Sequence, residues 1–185
     1  MKDRRFQGHP RDLRSPERLE RLEVGRVVDL CLEGITAVSV LDAGTGSGIF
    51  AEVFAARGLV VAGIDVNPEM VALARRYVPQ ADLRVAPLEA VPFDDEAFDL
   101  VFMGHVLHEA DDPVKALREA RRVARQRVAV LEWPHEPARS GPPLAQRLSS
   151  EAVANLAAQA GLAKLDITPL SHMVLYRLNA RQGQR

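Results

Sequence analysis

Cysteine is almost absent from this chain: Cys31 is the single thiol in 185 residues, which excludes an intramolecular disulfide framework. Aromatic residues are sparse as well, at 5%, and neither sign of charge is in excess. With 24 Lys plus Arg against 25 Asp plus Glu, the formal net charge is -1, so no global field draws the protein toward nucleic acid or a membrane surface. Long hydrophobic runs are missing too. A bilayer-spanning helix needs about 20 apolar residues, and the longest candidate, residues 59–66, is cut off by Asn67 and Pro68. No basic stretch leads into an apolar signal segment, and a cytoplasmic location is expected. What remains is an ordinary globular composition, 47% hydrophobic, at the length of one domain. The expectation is a single domain over 1–185, without internal repeats or low-complexity tracts.

Patterning then sets the layout. Residues 1–14 mix charge with Gly8 and Pro10 and read as a flexible arm, with Phe6 and His9 able to fold over a pocket. Ser15 as N-cap, Pro16 in the first turn, and Leu19, Leu22, Val27 and Leu30 at helical spacing predict one helix over 15–33, ended by Gly34. Over 37–179 short apolar runs alternate with helical segments: AVSVLD, helix 49–57, LVVAGID, helix 68–77, ADLRVA, FDLVFM, helix 113–124, RVAVLE. That alternation means a parallel sheet wrapped by helices. Gly58 and Gly161 stand at helix C-caps, Asn67-Pro68 and Asp112-Pro113 are N-cap plus first-turn proline, and Ser149 or Ser150 caps a helix through Ala160. LAKLDITPL and HMVLYRL, separated by Ser171, predict an antiparallel hairpin at the sheet edge. The fold expected is therefore a three-layer, Rossmann-like α/β sandwich with a mostly parallel seven-stranded sheet. Residues 180–185 read as a disordered tail. The stretch 133–147, with four prolines and Gly141, is the one long loop, and such loops usually carry function or are disordered.

The chemistry concentrates in VLDAGTGSGIF, where Asp42 ends the first strand and Gly44, Gly46 and Gly48 alternate before a helix, with Thr45 inside the turn. Glycines let the backbone turn tightly and approach a ligand, and a helix start favours negative charge. A dinucleotide turn reads G-x-G-x-x-G, whereas here the third glycine arrives one residue early and Ile49 follows it. An acid two residues before the first glycine repels a pyrophosphate. It suits a ligand with an ammonium beside its carboxylate, such as the methionine end of S-adenosylmethionine. The bland alternative is turn chemistry alone. Asp65 ends the second strand, about 20 residues on, where an acid accepts both hydroxyls of a ribose; its alternative is a cap on the next helix.

Residues 40–133 resemble the class I S-adenosylmethionine-dependent methyltransferases. The resemblance implies that Asp42 through Gly48 hold the methionyl part, that Asp65 and the adjoining Val66 hold the ribose, and that Gly104 completes the cofactor set. It assigns adenine to VAPLEAVPFDDEAFD, where Pro87 replaces the usual Asp. Leu88 then offers a backbone N–H and an apolar face, with Glu89 as substitute acid. The likeness extends over nearly the whole chain to a group of small prokaryotic methyltransferases reading FFGxVLHDxxDPxKxL and LxWxxxPxxxGPPxxxRLS. Here these are FMGHVLHEADDPVKAL and LEWPHEPARSGPPLAQRLSSE. The same core serves ubiquinone and menaquinone synthesis and arsenite methylation; a lone Cys31 argues against arsenic.

Methyl transfer from a sulfonium is an in-line displacement, so the enzyme's work is placement and exclusion of water. A base is needed only where the acceptor keeps a proton. Candidates beyond the fourth and fifth strands are His105, His108, Glu109, Trp133 and His135. His105 follows the strand end most closely and is the first choice as base, with His108 orienting or reacting; the alternative is that either histidine caps a short turn. H-x-x-H-E is not the H-E-x-x-H helix order of zinc enzymes, and no metal is expected. Lys115, Arg118, Arg121, Arg122, Arg125 and Arg127 read as a solvated helix face rather than an RNA surface. Where base-modifying amino-methyltransferases carry a proline-aromatic signature, this sequence has GHVL. The expected acceptor is a small molecule. A non-catalytic S-adenosylmethionine-binding regulatory domain and an RNA methyltransferase remain alternatives, the early third glycine argues against a nicotinamide enzyme, and oligomeric state is open.

Overall fold

The computed structural model describes residues 13–138 and 140–180. Most of the expected arm, including Phe6 and His9, and the tail beyond Ala180 lie outside the described residues. The last two arm residues are packed: Leu13 is buried, and Arg14 donates to the Ser47 carbonyl, pairs with Glu52 and lies over the Tyr77 ring. Ala180, expected in the tail, is buried and its N–H bonds the Gln126 carbonyl.

Seven strands form one sheet: β1 (Ser39–Ala43), β2 (Val60–Asp65), β3 (Asp82–Val85), β4 (Phe98–Gly104), β5 (Ala124–Glu132), β6 (Ala163–Pro169) and β7 (Val174–Asn179), in the order β3-β2-β1-β4-β5-β7-β6. The first five run parallel, and β7 inserts antiparallel between β5 and β6. The hairpin therefore closes one edge as its two strand-like runs predict. Along β1 the side chains alternate. Val40 faces one layer with Val61, Leu100, Ala129 and Leu175, while Leu41 faces the other with Val101, Val128 and Tyr176. Both faces are covered, which explains why these strands are continuously apolar.

On the Val40 face lie α2 (Val24–Leu32) and α3 (Ile49–Ala56), and on the Leu41 face α5 (Pro113–Val123) and α6 (Ser150–Gln159). A further helix, α4 (Pro68–Tyr77), packs Val71 and Ala74 on Leu83 of β3. Asn67, Asp112 and Ser149 cap α4, α5 and α6 through side-chain oxygens, as the sequence predicts.

The single N-terminal helix expected over 15–33 is two: α1 (Pro16–Leu22) and α2 meet at Glu23, whose φ of 47° is left-handed. A non-glycine residue in that region costs roughly 1–2 kcal/mol. The break turns both Leu22 and Val24, on either side of Glu23, into the core. The Glu23 carboxylate holds the corner by accepting from the Ser171 N–H at 3.0 Å and from Arg26. The basic run of α5 is not a bare solvated face. Arg122 bonds Glu119, Asp95 and the Val91 and Phe93 carbonyls, while Arg121 and Arg118 reach the Ala180 and Gln159 carbonyls. Arg127 with Arg177 caps the carbonyl end of α2.

Candidate active site

In the order β3-β2-β1-β4-β5 the chain direction of sheet-building reverses between β1 and β4, and ligands of open α/β sheets bind in the crevice beyond the carboxyl ends at such a switch point. A cavity of about 830 Å³ opens there. Its walls include Asp42, Gly44, Thr45, Gly46, Ser47, Asp65, Val66, Gly104, His105 and His108, so most of the sequence-derived candidates come together.

The glycine turn is built around its acid. Gly48 is the N-cap of α3 at a φ of 79° and has no side chain to cap with; Asp42 supplies the missing carboxylate from the end of β1. One oxygen, Oδ2, accepts from the Ala51 N–H at 3.1 Å and from the Thr45 hydroxyl at 2.8 Å. Thr45 thus serves the acid, while its N–H and that of Gly44 bond the Ile64 carbonyl. A Cβ on Gly44 would stand 2.4 Å from Val106, so that position admits only glycine. Asp42 is 2% exposed, and burial pushes its carboxyl up to about 7, against the pull of the Thr45 and Ala51 donors and with a smaller push from Asp65. The helix start carries a carboxylate already, which leaves a pyrophosphate no favourable place. Ser47 Oγ is buried without a partner in the same wall.

Asp65 accepts from the Gly46 N–H at 2.9 Å through Oδ2 and from the Asn67 N–H at 2.8 Å through Oδ1. It ties the two strand-end turns together while still lining the cavity, and burial raises its carboxyl. A side cavity of about 70 Å³ shares Gly44, Asp65, Val66 and Val106 with the main one and adds Pro87, Leu88 and Glu89. The adenine segment therefore borders this annex. Glu89 is partly spent, since its Oε1 accepts from the Asp112 N–H at 3.1 Å.

At the other end of the cavity the two histidines differ. His105 follows β4 in a left-handed conformation, φ 60°, with its N–H on the Leu131 carbonyl at 2.8 Å. This sets its ring on the indole of Trp133, centroids 5.1 Å apart, and leaves Nε2 buried without a partner. Burial, then the charges of Arg18 and His108, hold His105 well below its ordinary value, so it stays neutral. His108 turns instead to Glu132: Nδ1 lies 2.8 Å from Oε2, and its backbone N–H donates to Oε1 at 3.2 Å. Burial pulls His108 down, but the Glu132 hydrogen bond and the charges of Glu132 and Glu109 outweigh it, and the net shift is upward. Both histidines line the same cavity, each with a different partner. Trp133 lines the cavity, Glu109 borders both spaces, and His135 is exposed away from them.

Sequence reasoning missed Glu132, Arg147, Arg18 and Arg21. Glu132 had a signal: an acid ending the buried run VAVLE, the same mark that singled out Asp42 and Asp65. Arg147 is 6% exposed and binds the carbonyls of Pro134, Glu136, Ser140 and Pro142, gathering the 133–147 loop over Trp133. Arg18 and Arg21 come from α1, which roofs the cavity with Leu13 and Leu22; nothing in the helix pattern marks them.

Residues 41–131 match the family model described as a methyltransferase domain. The chain is 34% identical over 105 residues to the ubiquinone/menaquinone biosynthesis C-methyltransferase UbiE of Citrifermentans bemidjiense, covering 51% of this chain and 45% of that one. It is 40% identical over 120 residues to the demethylmenaquinone methyltransferase of Thermus thermophilus, covering 60% and 54%. The chain thus spans about half the length of the curated relatives it matches. A crystal structure of a SAM-dependent methyltransferase from Aquifex aeolicus superposes with a TM-score of 0.83 at 25% identity, over 95% of this chain and 100% of that one. The family match takes in the early-glycine turn and both strand-end acids, and residues 41–131 carry the methyltransferase domain that the Aquifex aeolicus enzyme shares in fold.

Proposed function

We propose that this chain transfers a methyl group from S-adenosylmethionine to a small-molecule acceptor. The observation that carries the reading is the pairing, in one cavity wall, of Asp42 and the unpartnered Ser47 Oγ. A buried carboxylate wants a cation and a buried hydroxyl wants an acceptor, and an amino-acid moiety supplies both. Asp42 and Ser47 with the Gly44–Gly48 turn would hold the methionyl end, Asp65 and Val66 the ribose, and Leu88 the adenine face, with Gly104 closing the floor. When bound, the cofactor supplies an electrophilic methyl on a sulfonium. The residues around it bind and orient both reactants and keep water out, under the roof of α1 and the 133–147 loop.

Of the two imidazoles, the geometry favours His108 as the group that takes a proton where the acceptor has one to lose. Glu132 fixes its ring through Nδ1, leaves Nε2 as the reactive nitrogen and stabilises its charged form. Neutral His105 forms the wall beside it. A small acceptor accords with the relatives, whose names place them in ubiquinone and menaquinone biosynthesis. Among the described residues no helix is long and apolar enough to cross a membrane, and we place the reaction in the cytoplasm.

Calorimetry with S-adenosylmethionine, S-adenosylhomocysteine and NAD tests the reading. Both adenosyl ligands should bind and NAD should not; Asp42→Ala and Asp65→Ala should each weaken binding on the order of tenfold or more, the loss expected for a charge-assisted contact. Binding of NAD in preference would overturn it. Cofactor binding without turnover over a broad metabolite panel would instead favour a regulatory domain.

A further inference from the structure

Two of the side chains that line the cavity, Arg18 and His105, each have a buried nitrogen with no protein partner, Nε and Nε2. Unsatisfied buried polar atoms are rare, and each calls for a specific explanation. The guanidinium of Arg18 only donates, and it keeps its charge at any physiological pH. Whatever completes it must present oxygen lone pairs, and a negatively charged oxygen group matches the donor fork best.

The neighbouring charges are mixed: Arg21 adds to the positive charge at Arg18, and Glu109 opposes it in part. Arg21, one turn further along α1, lines the same cavity. Glu132 is committed to His108 and to the Trp133 N–H, and Glu109 faces His108 Nε2 at 3.9 Å. Of the other acids, Asp42 Oδ2 is engaged by Thr45 and Ala51, and the two oxygens of Asp65 accept from Gly46 and Asn67. Leu13, Leu22 and the Trp133 indole beside the His105 ring give the cavity apolar surface as well.

We propose that the acceptor is a small molecule with an apolar body and an anionic oxygen group, a carboxylate or an ionised phenol or enol, seated on Arg18 with Arg21 beside it. This rests on the methyl-transfer reading above. It gives α1 a role in selecting the substrate, beyond covering the site. Arg18 draws the anion in and fixes which part of the acceptor lies toward the glycine turn.

The test uses full-length protein saturated with S-adenosylhomocysteine, titrated calorimetrically with paired probes: benzoate against benzamide, and 4-nitrophenolate against 4-nitroanisole. Each anion should bind roughly tenfold or more tightly than its neutral partner, the margin of a charge-assisted pair. The probe pair with the larger ratio tells carboxylate from phenolate chemistry. Arg18→Gln should abolish the preference and leave affinity for S-adenosylhomocysteine unchanged, and Arg18→Lys should restore part of it. Equal binding of the neutral probes, a preference that survives Arg18→Gln, or no probe binding to the cofactor-loaded protein would overturn the proposal. The wild-type comparison decides even if a variant fails to fold. Failure of S-adenosylhomocysteine itself to bind would remove the methyl-transfer reading and this inference together, whereas bound S-adenosylhomocysteine with no anion preference removes only the inference.

Discussion

At the scale of single residues the site is governed by acids at strand ends, each with a different partner. Asp42 is held up to about 7 by burial, so in the unliganded fold its proton is favoured, and its contribution to stability falls as pH rises from about 4, the ordinary Asp value, to about 7. A ligand ammonium reverses the preference, because it pairs only with the ionised form. Affinity for S-adenosylhomocysteine should therefore climb between pH 6 and pH 8, by at most about tenfold per unit below the Asp42 value, while the ligand amine stays charged. Asp42→Asn should flatten that dependence, and isothermal titrations across the range read it directly. Glu132 works on His108 instead. His108 is raised, so its stabilising charge is fully present below about 6.5 and is lost as pH rises through the raised value. If His108 takes the acceptor proton, turnover should rise along that same limb. Glu132→Gln should move the limb to lower pH and reduce kcat on the order of 10²-fold, the usual worth of a positioned base; an unmoved limb would remove His108 from the reaction. Asp42 and Asp65 were legible in the sequence because an acid stands out at the end of a buried strand. Glu132 stands out identically in VAVLE, and the long-range pairing with His108 is what one dimension hides.

Among the elements, those whose boundaries rest on local chemistry were legible and those set by tertiary contacts were not. The caps Asn67, Asp112 and Ser149 act within three residues of themselves, so the sequence locates α4, α5 and α6. The corner at Glu23 has no such signal, since it is fixed by Ser171, far away in the chain, and by the need to bury Leu22 and Val24 together. The 133–147 loop was legible as a loop but not as a packed one, for the single side chain that organises it sits at its end. Arg147 delivers a planar fork to four carbonyls; a lysine has one compact head and cannot span them. Arg147→Lys should lower stability by about 1–3 kcal/mol, the cost of unsatisfied buried groups. It should also open residues 134–147 to limited proteolysis. Cofactor affinity should stay within about twofold, because the glycine turn and Asp65 are untouched, so the loss in turnover should fall on the acceptor side. Equal proteolytic resistance of the variant and the parent would show that the loop is held by other contacts.

For the whole molecule, alternating strands and helices predicted the parallel sheet, because its central strands are covered on both faces and are apolar nearly throughout. They could not predict which strands adjoin; the reversal that opens the cavity between β1 and β4 is a property of the order, not of any segment. A ligand in that crevice touches the ends of β1, β2 and β4 at once, and so couples elements beyond their pairing in the sheet and the Asp65–Gly46 bond. Binding to the native state alone stabilises by mass action, about 2.7 kcal/mol at a ligand concentration a hundred times Kd. For a domain of this size each kcal/mol moves Tm by roughly 2–4 °C. S-adenosylhomocysteine at that excess should raise the melting temperature by about 5–11 °C in a calorimetric or fluorescence scan. NAD at equal concentration should leave it unchanged, and Arg18→Gln should show the same shift as the parent if its guanidinium serves the acceptor, as proposed. A shift that vanishes in Arg18→Gln would mean that α1 closes on the cofactor itself, and would join the roof and the glycine turn into one binding unit.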